Sequence, residues 1–370
     1  MTILFLLGDL FCGYGGIQSY ARTLVKAIEL ILNNKKTNVM LIVLNDAYED
    51  KRSKFELKSE KIKYISCKGS KVKFVVCSIF YSLTSSMVVF GHINFSPLLF
   101  LMRFFNPFQK AILIVYGVEV TKKFFVLHKI ALKFLYKIIS ISKNTMIKMS
   151  SLEKINERKF YILPCTLEPI FLERISNGKE KLQLPPGKIV LTVSRLEVAD
   201  RYKNIDQIIQ AMEGVLKEVP DTYCFIVGDG SDRERLESIV KAKKLQDKVL
   251  FVGKVENEIL KEYYKLCNVF VLPSTKEGFG IVFLEAMYNA KPCIGVSSGG
   301  VTEVIDDSET GILCKPNHID ELTKSITYLL KNNETNKIMG ENGKKKYEKE
   351  FSFVAFQKRL EKILFEKQQI

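Results

Sequence analysis

The sequence is poor in the features that mark membrane spans, disulfide frameworks, zinc sites and disordered chains. No uninterrupted apolar run of about 18 residues occurs, which excludes a single hydrophobic spanning helix. The eight cysteines (Cys12, Cys67, Cys77, Cys165, Cys224, Cys267, Cys293, Cys314) are scattered through apolar runs such as KFVVCSIF and YCFIV, without a C-x-x-C pair. That usage fits reduced, buried thiols of a cytosolic protein rather than disulfides or a metal centre. With 10 prolines, 47% hydrophobic and 26% charged residues, the chain is able to bury a substantial interior and is not expected to be disordered. The start, MTILFLLGDLF, lacks a basic leading region and runs at once into Asp9 and glycines. It therefore reads as a first β-strand, not a secretory signal. Internal repeats and low-complexity tracts are absent.

Charge is unevenly spread. Residues 1–179 hold 27 Lys and Arg against 12 Asp and Glu, while residues 180–370 hold 29 of each, so the net +15 belongs to the first half. A basic half beside a neutral one points to an anionic partner, nucleic acid or an anionic membrane, or to a lysine-rich solvated surface. No recognised nucleic-acid module or aromatic-basic platform is present, so nucleic acid is not an expected partner.

At 370 residues the chain suits two domains. Short β-branched runs alternate with segments of helical period throughout, which predicts parallel sheets covered by helices. In the first half, strands are expected at 2–7, 39–44, 61–66, 87–92, 111–116 and 137–142, with helices at 17–32, 71–84, 95–104, 123–135 and 143–150. Periodicity lapses over 173–188, which ends in Pro185-Pro186-Gly187 and reads as a linker. The alternation then restarts at KIVLTVSRLE, giving expected domains 1–180 and 181–350 and a terminal helix, 351–370, returning to the first domain. Doubly wound sheets bind ligands beyond the carboxyl ends of their strands, so a cleft between the domains is the expected site.

Three segments carry chemistry. After the first strand comes Gly13-Tyr-Gly15-Gly16-Ile-Gln18, ahead of a helical pattern. Glycines permit close backbone approach and a helix N-terminus attracts anions, so the segment reads either as a phosphate contact or as a tight turn without a ligand. It is not G-x-G-x-x-G, which weakens a dinucleotide reading. In the second half, Arg195 at a strand end and Lys203 ahead of a helix form a pair of cations suited to clamping a diphosphate; as single residues both also read as surface charge. The most informative stretch is PSTKEGFGIVFLEA, 273–286. It places Glu277 in a loop before a helix and Glu285 a little over one turn inside it, with the N–H groups of Gly278, Phe279 and Gly280 exposed between.

Together YGGIQSY, VSRLE with Lys203, CFIVGDGSDRERLE, VLFVGKV, VFVLPSTKEGFGIVFLEAMYNAKPCIGVSSGGVTEVIDD and TGILCKPNH resemble the retaining GT-B glycosyltransferases of family 4, the glycosyl transferases group 1. The resemblance covers essentially the whole chain and is densest over 188–331. It implies an α/β GT-B architecture, two Rossmann-like doubly wound domains facing each other across a cleft, the first binding acceptor and the second binding donor. It implies that Arg195 and Lys203 hold the donor diphosphate, that Glu277 binds donor-sugar hydroxyls and that Glu285 binds the nucleotide ribose. Backbone contacts to sugar and phosphate fall to Gly278, Phe279 and Gly280. Lys254 and Val255 sit where such enzymes touch the base. Gly15 and Gly16, with Gln18 beside them, correspond to a contact on the diphosphate from the first domain. His92 matches an end-of-strand histidine placed against the transferred sugar; alone, it reads equally as a capped core residue. Tyr116-Gly117-Val-Glu119 resembles a second end-of-strand motif, in which relatives often show His-Gly. Lys203-Asn204 replaces a commoner Lys-Gly.

The resemblance further implies transfer of a sugar from a nucleotide-diphosphate donor to a hydroxyl of a glycan or lipid-linked acceptor, with retention, in cell-envelope polysaccharide assembly. No D-x-D metal motif occurs and Asp229 and Asp232 read as turn and helix-cap residues, so no metal or cofactor is expected. The rival readings are a GT-B-fold sugar-nucleotide epimerase and a non-catalytic sugar-nucleotide- or membrane-binding subunit. Residues 122–137, KKFFVLHKIALKFLYK, put Lys122, Lys129, Lys133 and Lys137 near one helical side beside the Phe-rich segment 94–108. That pattern reads as peripheral docking on anionic lipid at the inner face of the membrane, or as an ordinary helix packed on the sheet; both readings are compatible.

Overall fold

The computed structural model describes residues 1–13, 15–47, 57–117, 124–173, 182 and 184–366. The chain forms two compact units. One comprises residues up to Glu168 together with the segment from Phe353, and the other is Pro169–Ser352.

The first unit is a seven-stranded parallel sheet of β1 (Thr2–Leu7), β2 (Asn38–Val43), β3 (Ile62–Ser66), β4 (Met87–Phe90), β5 (Lys110–Val115), β6 (Lys137–Ser140) and β7 (Phe160–Ile162), in the order β3-β2-β1-β4-β5-β6-β7. Most of its strands are buried from end to end, as a sheet covered by helices on both faces requires. The strand order reverses between β1 and β4, which pair directly from Ile3–Met87 to Leu6–Phe90. At such a reversal the loops leaving the two strands diverge and open a crevice.

The second unit repeats the pattern with six parallel strands, β8 (Lys188–Val193), β9 (Thr222–Val227), β10 (Val249–Gly253), β11 (Val269–Val271), β12 (Cys293–Val296) and β13 (Gly311–Cys314), ordered β10-β9-β8-β11-β12-β13. Its reversal lies between β8 and β11.

The sequence pattern missed β7, whose three residues are too few to show a period. It also carried the fourth strand to His92, whereas β4 ends at Phe90. Gly91 follows, pressed so close to β1 that a side chain there would meet Leu7 Cδ2 at 2.6 Å and the Leu6 carbonyl at 3.0 Å. The second unit begins earlier than the expected 181. Phe171 in the short helix Pro169–Leu172 is buried edge-on against Tyr264 and Tyr288, and Lys261 Nζ donates to the carbonyls of Ile170 (3.2 Å) and Glu173 (2.8 Å). The terminal helix Phe353–Phe365 belongs to the first unit. Phe356 packs edge-on against Tyr20, Lys35 pairs with Glu361 at 2.8 Å, and Lys137 Nζ donates to the Ile363 carbonyl at 2.6 Å.

Lys137 therefore corrects the basic-helix reading. It sits in β6, is 2% exposed, and lies over the rings of Tyr136 and Tyr161. The helix itself is shorter, Val126–Lys133, and Lys122 lies outside the described residues. The cysteines are free thiols; burial pushes Cys224 and Cys267 up to about 12. Among the described residues no helix is long and apolar enough to cross a membrane.

Candidate functional site

The reversal in the second sheet gathers the charged residues singled out above. Ser194-Arg195 directly follow β8, and the Gly228-Asp229-Gly230 turn is folded tightly behind them. A side chain on Gly228 would lie 1.8 Å from the Ser194 carbonyl, and one on Gly230 would lie 2.5 Å from that of Leu196. These glycines let the turn seat the Arg195 backbone. Arg195 Nη2 then reaches Asp200 Oδ2 at 3.0 Å; the guanidinium is largely exposed and the carboxylate buried. Asp200 Oδ1 accepts from the Tyr202 hydroxyl at 3.0 Å. Burial, followed by the charge of Asp200, pushes the Tyr202 phenol far above its usual range, so it stays a donor.

Lys203 follows at once, its Nζ 3.5 Å from Glu277 Oε2, with both side chains more than four-fifths buried. Asn204 occupies the left-handed region at φ +55° and donates Nδ2 to the Pro273 carbonyl at 2.8 Å. Asparagine is among the residue types that best tolerate positive φ, and its amide gains a tie to the opposite loop. Thr275 N–H donates to the Tyr202 carbonyl at 2.9 Å. Residues 202–204, entering from β8, and 273–275, leaving β11, are stitched together by these bonds.

Glu277 is held from behind by Ser298-Gly299-Gly300. Gly300 N–H donates to the Glu277 carbonyl at 2.9 Å, and Ser298 Oγ donates to Thr275 O at 2.8 Å. A side chain on Gly299 would fall 2.3 Å from the Glu277 carbonyl, and one on Gly300 would fall 2.2 Å from that of Gly278. Gly280, at φ +96°, opens the helix Ile281–Tyr288, whose first turn has neither an acidic residue nor a side-chain cap. Phe279 contributes backbone only, since its ring is buried against Phe351. Glu285, within the helix, accepts from the Tyr264 hydroxyl at 2.7 Å. Tyr264 is fully buried and held well above its usual range by burial and by the Glu285 charge. Lys254 and Val255 follow β10, two strands away from β8.

Asp232 differs from the expected cap. It stands at the start of helix Arg233–Ala242 but makes no cap bond, and its buried carboxylate accepts from Arg201 at 2.9 Å and Arg235 at 2.6 Å. Those bonds, Arg235 foremost, hold it below the usual carboxylate range. Asp229 does serve the turn, accepting from Gly230 N–H at 2.9 Å.

In the first unit the corresponding reversal carries the glycine loop after β1 and His92 after β4. Gly15 and Gly16 open helix Gly16–Leu32, which has no side-chain cap and no acid in its first turn. The loop before it is anchored by buried Asp46, which accepts from the N–H groups of Leu10, Phe11 and Cys12 and from the Tyr64 hydroxyl. Gln18 folds back over Gly13 and Gly15 and hydrogen-bonds Asp9. His92 Nδ1 accepts from Asn94 N–H at 3.1 Å, and burial holds the imidazole below its usual range; the neutral ring therefore carries its proton on Nε2. Tyr116 is a core residue, 4% exposed and edge-on to Tyr20. Glu119 lies outside the described residues.

Sequence reasoning singled out Arg195, Lys203, Glu277 and Glu285 but not the residues that the structure sets behind them, Asp200, Tyr202 and Tyr264, nor Asp46 in the first unit. Asp200 and Tyr202 carry a signal in their position between the two cations, whereas Tyr264 and Asp46 carry none.

Two doubly wound parallel units, with cations and carboxylates at the reversal of the second, define a protein of the GT-B glycosyltransferase fold. Residues 175–346, a little under half of the chain, match the family described as Glycosyl transferases group 1. Over 164 residues it is 34% identical to N-acetyl-alpha-D-glucosaminyl L-malate synthase of Bacillus anthracis, covering 44% of this chain and 42% of that protein. The first curated relatives are thus matched over less than half their length. Among solved structures, sucrose-phosphate synthase from Thermosynechococcus elongatus superposes with a TM-score of 0.79 at 22% identity, over 98% of each chain. HepE of Anabaena, solved in complex with UDP, superposes with a TM-score of 0.78 at 15% identity, over 98% of this chain and 99% of that one.

Proposed function

We propose that the protein is a retaining, metal-independent glycosyltransferase that moves a sugar from a nucleotide-diphosphate donor to a hydroxyl of a glycan or lipid-linked acceptor, in cell-envelope polysaccharide assembly. The observation that carries this reading is the meeting of Lys203 and Glu277 at 3.5 Å, on loops from neighbouring strands, with Arg195 tied to the Lys203 loop through Asp200. In it, Arg195 and Lys203 take the negative charge that grows on the departing diphosphate, and the uncapped start of helix Ile281–Tyr288 adds its N–H groups. Glu277 takes the sugar hydroxyls and Glu285 the ribose. The bond from the anomeric carbon to the leaving phosphate oxygen breaks as the acceptor oxygen bonds on the same face, and the acceptor proton passes to the leaving oxygen. Two cations already in place make a divalent ion unnecessary for that charge. In the first unit, the N–H groups at Gly15 and Gly16 are offered to a phosphate and His92 Nε2–H to a sugar hydroxyl. The location that fits is cytoplasmic, peripheral at the inner face of the membrane.

A thermal-shift screen of UDP-, GDP- and dTDP-sugars identifies the donor, because a ligand that binds only the native state raises its melting point. With that donor, Glu277→Ala should lose turnover and keep the wild-type melting point. Undiminished transfer by the variant removes Glu277 from the mechanism. Isomerised donor formed without acceptor replaces the transferase reading with an epimerase one.

A further inference from the structure

We propose that the first unit docks on an anionic lipid bilayer through the outer faces of three consecutive helices. This deepens the peripheral location given above, on which it rests, by naming the surface. The helices are Lys71–Ser82, Leu98–Phe105 and Val126–Lys133, which connect β3 to β4, β4 to β5 and β5 to β6. All three connections advance the same way across the sheet, so their right-handed crossings put them on one face. They are joined side by side. The Asn106 and Gln109 amides both donate to the carbonyls of Ser82 and Ser85, and the Arg103 guanidinium donates to the Phe134 carbonyl at 2.8 Å while lying over its ring.

Their inner sides share one core, with Phe74, Leu99, Met102 and Leu132 buried together. That core needs no apolar residue on the outer side, yet large ones stand there. Phe104 on the second helix, Phe108 in the turn after it and Phe125 just before the third helix are 82%, 93% and 80% exposed, and Val76, Phe80 and Val126 accompany them. Patches of that kind mark a surface that meets something apolar.

The charge pattern identifies the occupant. From Lys61 to Gly117 and from Phe124 to Leu152 there is no Asp or Glu, whereas these stretches hold twelve Lys and Arg, of which Lys137 is buried and Lys129 is paired with Glu153 at 3.3 Å. Exposed Lys71 and Lys133 belong to the same helices as the apolar ridge. A partner protein or a second copy of this chain would leave part of a single-sign basic field unanswered. A continuous anionic surface with an apolar interior answers both features, with phenyl rings entering the boundary and lysines meeting headgroups.

The experiment is co-sedimentation of the full chain with vesicles of phosphatidylcholine alone and of phosphatidylcholine mixed with phosphatidylglycerol. Binding is expected only to the mixed vesicles and should weaken with added salt. The triple variant Phe104→Ser/Phe108→Ser/Phe125→Ser should bind about tenfold less, with unchanged melting point and unchanged turnover on a water-soluble acceptor. Lys71→Glu/Lys133→Glu, which leaves every apolar residue in place, should lose the salt-sensitive share. Equal sedimentation of wild type and both variants overturns the proposal. So does a dimer in solution that the Phe substitutions dissolve, because the face would then be an interface between copies. Vesicle binding by a protein without transferase activity keeps the docking surface and rejects the transferase reading; turnover without vesicle binding does the reverse.

Discussion

Replacing Gly299 with alanine tests whether catalysis depends on the backbone behind Glu277, without touching a charged group. The new methyl would lie 2.3 Å from the Glu277 carbonyl oxygen. Carbon contacts settle at about 3.5 Å, so one of the two loops must retreat by roughly 1 Å. That movement disturbs the 2.9 Å bond from Gly300 N–H to the same carbonyl, which sets where Glu277 stands relative to Lys203. Misplacing a positioned group by ~1 Å costs about 100-fold in rate, or about 2.7 kcal/mol of barrier. Gly299 also has φ +61°, and forcing alanine there adds about 1 kcal/mol of strain that lowers stability without moving the site. Gly69→Ala separates the two effects, since Gly69 has φ +81° but nothing within 4 Å of an added methyl. The assay is sugar transfer with the identified donor, alongside thermal unfolding of both variants. Gly299→Ala should lose about 100-fold in kcat/KM while melting close to Gly69→Ala, which should transfer at the wild-type rate. Gly299→Ala activity within threefold of wild type refutes the reasoning, as does a melting point far below that of the control.

Two further outcomes follow from the groups around the sites. Tyr264→Phe removes a donor to the Glu285 carboxylate; a hydrogen bond to a charged group contributes about 1.5 kcal/mol, so donor KM should rise about tenfold with kcat little changed. An unchanged KM would show that Tyr264 does not position Glu285. Burial holds both His92 and His128 below their usual range, and His128 depresses His92 further. Below about pH 6.5 the unfolded chain binds protons that the folded one refuses, so stability falls as pH drops through that value and is level above it. Urea denaturation of His92→Asn/His128→Asn should be flatter than wild type between about pH 5 and about pH 7; identical slopes would assign the dependence to other groups.

The α/β alternation was legible because each buried strand is a short β-branched run and each helix carries its own period. The charged residues Arg195, Lys203 and Glu277 were legible for a related reason, since each follows a recognisable strand end or precedes a helix, and Glu285 by its spacing from Glu277, a little over one turn inside that helix. What supports them was not. Tyr264 meets Glu285 from another helix, and Asp46 gathers three N–H groups from a loop more than thirty residues earlier in the chain. Such pairings depend on the sheet order, which local patterns do not encode. Tyr116, which stands where the end-of-strand motif often shows a histidine, is kept by the core, edge-on to Tyr20, and the candidate Glu119 of that motif lies outside the described residues. Lys137 fell on a helical spacing yet belongs to a strand, because its ammonium is satisfied by the Ile363 carbonyl and two rings supplied by distant parts of the chain.

The helix Phe353–Phe365 makes the first unit a composite of two stretches of chain separated by the whole of the second. During synthesis the seven strands emerge early, but the places for Phe356 beside Tyr20 and for the Ile363 carbonyl at Lys137 stay unfilled until the later unit has been made. The ribosome therefore releases a second unit able to mature ahead of the first, reversing the usual order in which nascent domains finish. A fragment truncated after Glu168 is an unfinished body. Chimeras that swap the second unit must keep two joints, one at each end of the insert.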